Sequence, residues 1–459
     1  MHLMPLYAGN ARRLHRFILD RYVDASSGGV FANTSGRHIG LFGVLKLAEA
    51  ELYAYRATGE QAYLDGLRAR LEFCLAHRRT NGINNFWTAD LGSDSNWIES
   101  NHSGIFAHCA AEYWELTGDD RFTESAIALM EAIPAGDRSD GAFVDGYDNA
   151  ATTIDDRQYV ADNTEIMLGW WACYRITGEE RHRAAALRVL AFLDANFRSV
   201  PSQPDARAWL VGPLHVPYGE GSAGFCDAGH TTYEQFFAAR NLLLMDLDDH
   251  SWQIPVAADW VNAYSRFDDG FVGYNECDDK MVGWSAYYAA HSYWAYRISG
   301  DVDHLVRAHQ AVHAVLGVQD EATGAVTAFL PISGAINVDE LDAAAEGLGA
   351  IWQLAAALQG LTMPTVVPDS PVRVIKQTAG SSVVTRAELL DDARVQIELA
   401  LTGSGAAETL VVRGATVDGS ISLDAPSGSD ARAMVGPDGA VEITYTDTHG
   451  DVRVDLALA

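Results

Sequence analysis

Residues 159–180 read YVADNTEIMLGWWACYRITGEE. Asp162, Asn163 and Glu165 stand at the head of an apolar run with two tryptophans. A carboxyl group there can cap a helix, since Asp followed by Glu three residues on matches a capping box. It can also donate a proton to a reacting group. Burial among Tyr159, Trp170 and Trp171 would disfavour its charged form and suit it to act as an acid near neutral pH. Other apolar runs open in the same way. SNHSGIFAHCAAEYW brings Asn101, His102 and Ser103, and CDAGHTTYEQFF brings Asp227, His230, Tyr233 and Glu234. NECDDKMVGWSAYY brings Asp278, Asp279, Trp284 and Tyr287. NTSGRHIGLFG carries Arg37 and His38, and INVDELDAAAEG carries Asn337, Asp339 and Glu340.

Each of these residues also has a purely structural reading. Asn101 or Ser103 can be a plain N-cap. His38 and His230 can be satisfied structural histidines, and Trp170 and Trp171 can be core.

The elements that hold these groups follow from a repeat. AYRATGE, YWELTGD, CYRITGE and AYRISGD end apolar runs at Gly59, Gly118, Gly178 and Gly300, with a weaker copy at Gly360. The period is about sixty residues, and a degenerate copy near 236–249 fills the long gap. In each unit an apolar helix runs into Thr/Ser-Gly-acid, where the glycine fits a helix C-cap and the acid opens a second helix. In EERHRAAALRVLAFLDANF, Ala186, Leu187, Leu190, Leu193 and Phe197 recur at helical steps. Six such hairpins predict a mainly α protein, closed into an (α/α)6 toroid over residues 1–363.

Composition changes at Met363–Pro364. PTVVPDSPV reads as a linker over 364–371. Short alternating segments such as RVQIELAL and AVEITYT predict a small antiparallel β-sandwich over 372–459, packed against the ring.

A toroid presents the N-termini of its inner helices, with their free N–H groups, at the mouth of a funnel. The polar heads above then converge with loop residues Trp87, Asp90, Trp97, Asp155, Asp156, Tyr159, Trp209 and Tyr218. Aromatic faces stack on sugar rings, amides and imidazoles fix hydroxyls, and carboxyls supply general acid/base groups. The expectation is an oligosaccharide substrate, with Tyr159, Asn163, Glu165, His230, Tyr233, Glu234, Trp284, Trp87, Trp97, Trp209 and Tyr218 in binding. The long loop 199–225, rich in Pro, Gly and aromatics, is expected to cover one side of the funnel and favour short substrates.

Bulk numbers narrow the field. The formal charge is −30, and lysine occurs only at Lys46, Lys280 and Lys376. Such a surface repels phosphate backbones, which speaks against nucleic acid as a partner. The five cysteines (Cys74, Cys109, Cys173, Cys226, Cys277) show no CxxC pairing, which predicts free thiols and no zinc site. No metal or organic cofactor motif is visible. No run reaches the ~18 apolar residues of a membrane span. MHLMPLYAGNARRLHRF lacks the apolar core of a secretion signal, so a cytoplasmic location is expected.

The toroid text resembles the six-hairpin glycosidase superfamily, and within it the unsaturated glucuronyl and rhamnogalacturonyl hydrolases. Residues 159–180 are similar to their Asp-Thr helix, SNHSGIFAHCAAEYWELTGD to their His-Asp-x-Gly-Phe helix, and VQDEATGAVTAF to their Asp-Pro-x-Thr-Gly loop. The resemblance implies a glycoside hydrolase acting on uronic-acid-containing oligosaccharides, with Asp162 as catalytic acid. Two positions differ: Asn101 or His102 stands where that family has its second carboxylate, and MVGWSAYYAAHSYW lacks its arginine. Asn-His at a toroid helix also resembles alginate-type polysaccharide lyases. That resemblance implies β-elimination, with Asn101 neutralising a uronate, His102 as base and Tyr159 as proton donor. A non-catalytic sugar-binding protein is the third reading.

Overall fold

A computed structural model describes residues 4–30, 41–79, 82–83, 98–134, 143, 146–148, 150–155, 160–196, 238, 240–242, 244–245, 253–264, 266–273, 280–320, 322–325, 329–330, 373–376, 382–391, 394–413, 417–437 and 439–458. Its helices are α1 (Met4–Tyr22), α2 (Leu41–Thr58), α3 (Gln61–Ala76), α4 (Ser100–Thr117), α5 (Thr123–Ala132), α6 (Val160–Thr177), α7 (Glu180–Asn196), α8 (Gln253–Tyr264), α9 (Val282–Ser299) and α10 (Val302–Gly317). Residues 238–244 are also helical where described.

The helices form two layers. Those ending in the Gly repeat, α2, α4, α6 and α9, are buried nearly all round, whereas their partners α3, α5, α7 and α10 keep an exposed face. Gln319 Nε2, just past α10, donates to the Asn10 carbonyl of α1 at 3.0 Å, so the first helix docks on the turn after α10. Among the described residues no helix is long and apolar enough to cross a membrane. Cys74, Cys109 and Cys173 are free and buried.

The Thr/Ser-Gly-acid signature is one repeated turn. The glycines adopt φ of 71° at Gly59, 73° at Gly118, 69° at Gly178 and 73° at Gly300, a left-handed conformation that costs a Cβ-bearing residue about 1 kcal/mol. Each glycine N–H closes the helix on the carbonyl four residues back, at 2.7–2.8 Å. The hydroxyl before it donates to the carbonyl four residues behind and accepts the N–H two residues ahead. Thr177 makes these bonds to Cys173 at 2.8 Å and from Glu179 at 3.1 Å. Thr58, Thr117 and Ser299 repeat the pattern. Serine at 299 makes the same two bonds, because the turn uses only the hydroxyl.

Short ribbons lie ahead of the inner helices. β1 (Arg78–Arg79) pairs with β2 (Gly82–Ile83). β3 (Ile98–Glu99), β4 (Gly146–Tyr147) and β5 (Thr153–Asp155) form one sheet, and β6 (Val272–Gly273), β7 (Lys280–Met281) and β8 (Phe329–Leu330) another. β3 runs directly into α4, and β7 into α9.

The C-terminal part is all antiparallel. It comprises β9 (Arg373–Lys376), β10 (Val383–Asp391), β11 (Arg394–Thr402), β12 (Ala407–Arg413), β13 (Val417–Asp424), β14 (Arg432–Val435), β15 (Val441–Thr446) and β16 (His449–Leu458). One sheet has the order β10-β11-β16-β13 and the other β14-β15-β12-β9. Period-two patterning turns Val395, Ile397 and Leu399, Ile443 and Tyr445, and Val452, Val454 and Leu456 into one core shared with the helices. β9 and β10 pack against α1 and α10. The segment expected as a linker, 364–371, lies outside the described residues.

Candidate active site

The inner helices α4 and α6 run side by side because two glycines remove the side chains between them. A Cβ on Gly104 would overlap the Glu165 carbonyl, and one on Gly169 would lie 2.6 Å from the Gly104 Cα. This approach brings the two helix starts together. Asn101 Nδ2 donates to Asp162 Oδ1 at 2.9 Å.

The three polar residues that head α6 have different surroundings. Asp162 is half-buried. Asn163 is fully buried and clasps Phe143 from both sides: it accepts from the Phe143 N–H at 3.0 Å and donates to the Phe143 carbonyl at 3.2 Å. Glu165 is buried beneath them in a ring of four charges. Lys46 Nζ lies 3.1 Å from Glu165 Oε1 and 3.2 Å from Glu49 Oε2. Arg240 reaches the same two oxygens, at 2.9 Å on Glu165 and 3.3 Å on Glu49. All four side chains are at most 3% exposed. Two cations and two anions alternate, which offsets much of the cost of burying them. Among the described residues, Glu49 Oε1 and Glu165 Oε2 nevertheless accept no hydrogen bond, so the ring is costly to keep.

Burial works to raise the Glu49 carboxyl, but Arg240 and Lys46 hold it well below the usual carboxylate range. Burial works against the charged form of Arg240, and Glu49 with Glu165 pushes its pKa well above normal. Lys46 also lies over the Phe42 ring, 4.9 Å from its centre.

The polar column continues inward. His108 is buried, and among the described residues neither ring nitrogen has a hydrogen-bond partner. Burial drives its pKa down to about 4 against the pull of Glu112 and Glu49. At the far helix ends Arg175 holds Glu112 at 2.6 Å and Glu115 at 2.9 Å, and Arg56 pairs with Glu112.

His102 is fully buried, and its pKa falls to about 3 through burial and then Lys46. Its Nε2 lies 3.2 Å from Glu99 Oε2, and among the described residues it makes no hydrogen bond. Trp284 and Tyr287 are buried in α9, at 6% and 2% exposure. Trp170 and Trp171 do not wrap Asp162. They lie about two turns further along α6, where Trp170 stacks on His182 and Trp171 packs on Tyr174. Trp87, Trp97, Tyr159, Trp209, Tyr218, His230, Tyr233 and Glu234 lie outside the described residues, as does the loop 199–225. Among the described residues no His, Cys, Asp or Glu cluster is arranged to hold a metal ion.

Sequence reasoning passed over Lys46, Glu49 and Arg240. One signal was available: Lys46 is one of three lysines in the chain, and it lies inside the apolar run LFGVLKLAEAELYAY.

With this geometry in view, the chain can be set beside known proteins. No family model matches it, and neither does any curated protein. Solved structures do. A cellobiose 2-epimerase from Bacillus thermoamylovorans superposes with a TM-score of 0.61 at 12% identity, over 76% of this chain and 99% of its own. A D-mannose isomerase gives 0.62 at 13%, over 76% and 97%. A GH76 α-mannanase from Bacteroides thetaiotaomicron gives 0.59 at 12%, over 77% and 96%. The likeness is one of fold. These neighbours are named as an epimerase, an isomerase and a mannanase, all of which act on sugars.

Proposed function

We propose that this chain is a carbohydrate-processing enzyme built on six helical hairpins. In this reading residues 1–363 form the catalytic ring, 364–371 a linker and 372–459 a supporting β domain. Its reaction is glycoside hydrolysis of short, uronic-acid-containing oligosaccharides at the inner-helix mouth, with Asp162 as proton donor. The observation that carries this reading is the Asn101–Asp162 hydrogen bond. It orients a half-buried carboxyl where two inner helices begin. The neighbours named for epimerisation, isomerisation and mannan cleavage support a sugar substrate.

Hydrolysis needs a second carboxylate. An α-1,6-mannanase neighbour with α-1,6-mannotriose is an inactive variant with two adjacent aspartates changed to asparagine. Here Asp162 is flanked by Ala161 and Asn163, and adjacent aspartates precede inner helices at Asp155–Asp156 and Asp278–Asp279. We assign the second carboxylate to one of these pairs. Tyr159, His230, Tyr233, Glu234, Trp87, Trp97, Trp209 and Tyr218 are assigned to substrate binding. A lyase base must reach C5 of a uronate, and the His102 ring has no exposed atom with which to do so. In this reading His102, Asn163 and Glu165 position the mouth.

The test is incubation with unsaturated uronyl oligosaccharides, α-1,6-mannooligosaccharides and cellobiose. The reading expects new reducing ends, with loss of the unsaturated chromophore on the first group. A gain of that chromophore on saturated uronate chains would mean a lyase. Interconversion of the reducing sugar without cleavage would mean an epimerase or isomerase.

A further inference from the structure

We infer that the four-charge ring of Lys46, Glu49, Glu165 and Arg240 sets the proton affinity of Asp162, as a neutral platform one helical turn beneath it. Glu165 follows Asp162 by three residues, so the two carboxyls share a helix face with Cβ atoms about 5–6 Å apart. Left unpaired, the Glu165 charge would repel the Asp162 carboxylate from that distance in a site where water screens poorly. Lys46 from α2 and Arg240 from the helix of residues 238–244 both meet Glu165 Oε1, the first at 3.1 Å and the second at 2.9 Å. Each cation is shared with Glu49, so the ring as a whole carries no net charge.

Among the described residues, the other titratable groups on α4, on α6 and on the strands ahead of them are Glu99, His102, His108, Cys109, Glu112, Tyr113 and Glu115, Tyr147 and Asp155, and Cys173, Tyr174 and Arg175. Of these, Arg175 pairs with Glu112 and Glu115 at the far helix ends. Both histidines are held neutral by burial. The ring is a part of the surroundings whose charge a single substitution can change in either direction. Lys46 and Glu165 are positioning residues that act through Asp162.

The importance of this inference rests on Asp162 being the proton donor, but its test needs no turnover. In protein labelled with [13C]aspartate, the Asp162 carboxyl resonance is identified by its loss in Asp162→Asn and followed through a pH titration. Lys46→Met leaves the platform with one excess negative charge and should raise the Asp162 midpoint by about one pH unit. Glu165→Gln leaves one excess positive charge and should lower it by about the same amount. The double variant Lys46→Met/Glu165→Gln removes one charge of each sign, avoids the unpaired ion that could unfold a single variant, and should return the midpoint to that of the parent. Shifts of the same sign in both single variants, no shift in either, or a double variant displaced by a full unit would each overturn the inference. Asp162→Asn with undiminished turnover would instead overturn the catalytic role of Asp162 and leave the platform standing.

Discussion

Gly104 lies against the Glu165 carbonyl, so closely that the two helices carrying Asn101 and Asp162 could not hold their present spacing with any side chain there. The obstructing atom is backbone and has no rotamer to move. Gly104→Ala should therefore drive α4 from α6, cost roughly 1–3 kcal/mol as an overpacked site, and break the Asn101–Asp162 bond. Denaturant melts together with turnover would check it. Loss of activity in protein that remains folded is the expected result.

Acid should weaken the fold before most carboxylates titrate. In the folded chain burial holds His102 near 3 and His108 near 4, whereas both ordinarily titrate near 6.5. The unfolded chain therefore binds protons that the folded chain refuses as pH falls below 6.5. Stability is full above that value and declines below it. Between pH 6.5 and 4.5 each histidine should remove roughly 2 kcal/mol. Glu49 and Glu112, held below their ordinary value, add their own loss only as pH falls below about 4.5. Urea melts at pH 7 and 5 should show the drop, and His108→Gln should make it shallower.

The repeated turn can be tested at Thr177. Its hydroxyl serves the Cys173 carbonyl, the Glu179 N–H and His182 Nδ1, the last at 2.9 Å. Thr177→Ala should cost roughly 1–2 kcal/mol, and Thr177→Ser should restore most of it. Gly178→Ala meets open space, so its cost of about 1 kcal/mol should come from the backbone alone. Thermal melts of the three variants would rank them.

The turn was legible because it is local: hydroxyl, glycine and acid are consecutive, and their bonds span four residues or fewer. The inner helices were legible for a similar reason, since burial all round leaves unbroken apolar text. Asp162 could be picked out as a polar group at the head of such a helix. The roles of its neighbours could not. Glu165 reads as part of a capping box until its partners are known, and these lie 119 residues away at Lys46 and 75 away at Arg240. Arg240 itself sits in FFAARNLLLMD, visible only as a degraded repeat. Asn163 is held by the backbone of Phe143, which leaves no trace in residue type. The two tryptophans misled for a geometric reason. Close in sequence to Asp162, they stand about two turns along the helix, and Trp170 faces the outer layer.

Asn163 offers a clean separation of scaffold from chemistry. Asn163→Ala should remove the bonds that Asn163 makes to the Phe143 N–H and carbonyl and cost roughly 2–4 kcal/mol. Asn163→Asp keeps the acceptor and loses the donor, so it should fall between. Turnover per folded molecule should drop less than stability does, as measured by active-site titration beside denaturant melts.

The most direct measurement is turnover of Asp162→Asn on whichever oligosaccharide the parent cleaves. Asparagine keeps the size and still accepts from Asn101, and as the third residue of α6 it gives up only the first-turn interaction of a carboxylate with the helix dipole. A structural Asp162 would then cost under about 1 kcal/mol and little rate. A general acid would lose its proton, which is worth ~10²–10⁴ in rate. We predict a folded protein with parental melting behaviour and turnover reduced by that factor. Near-parental turnover would contradict the assignment of Asp162 as the catalytic acid.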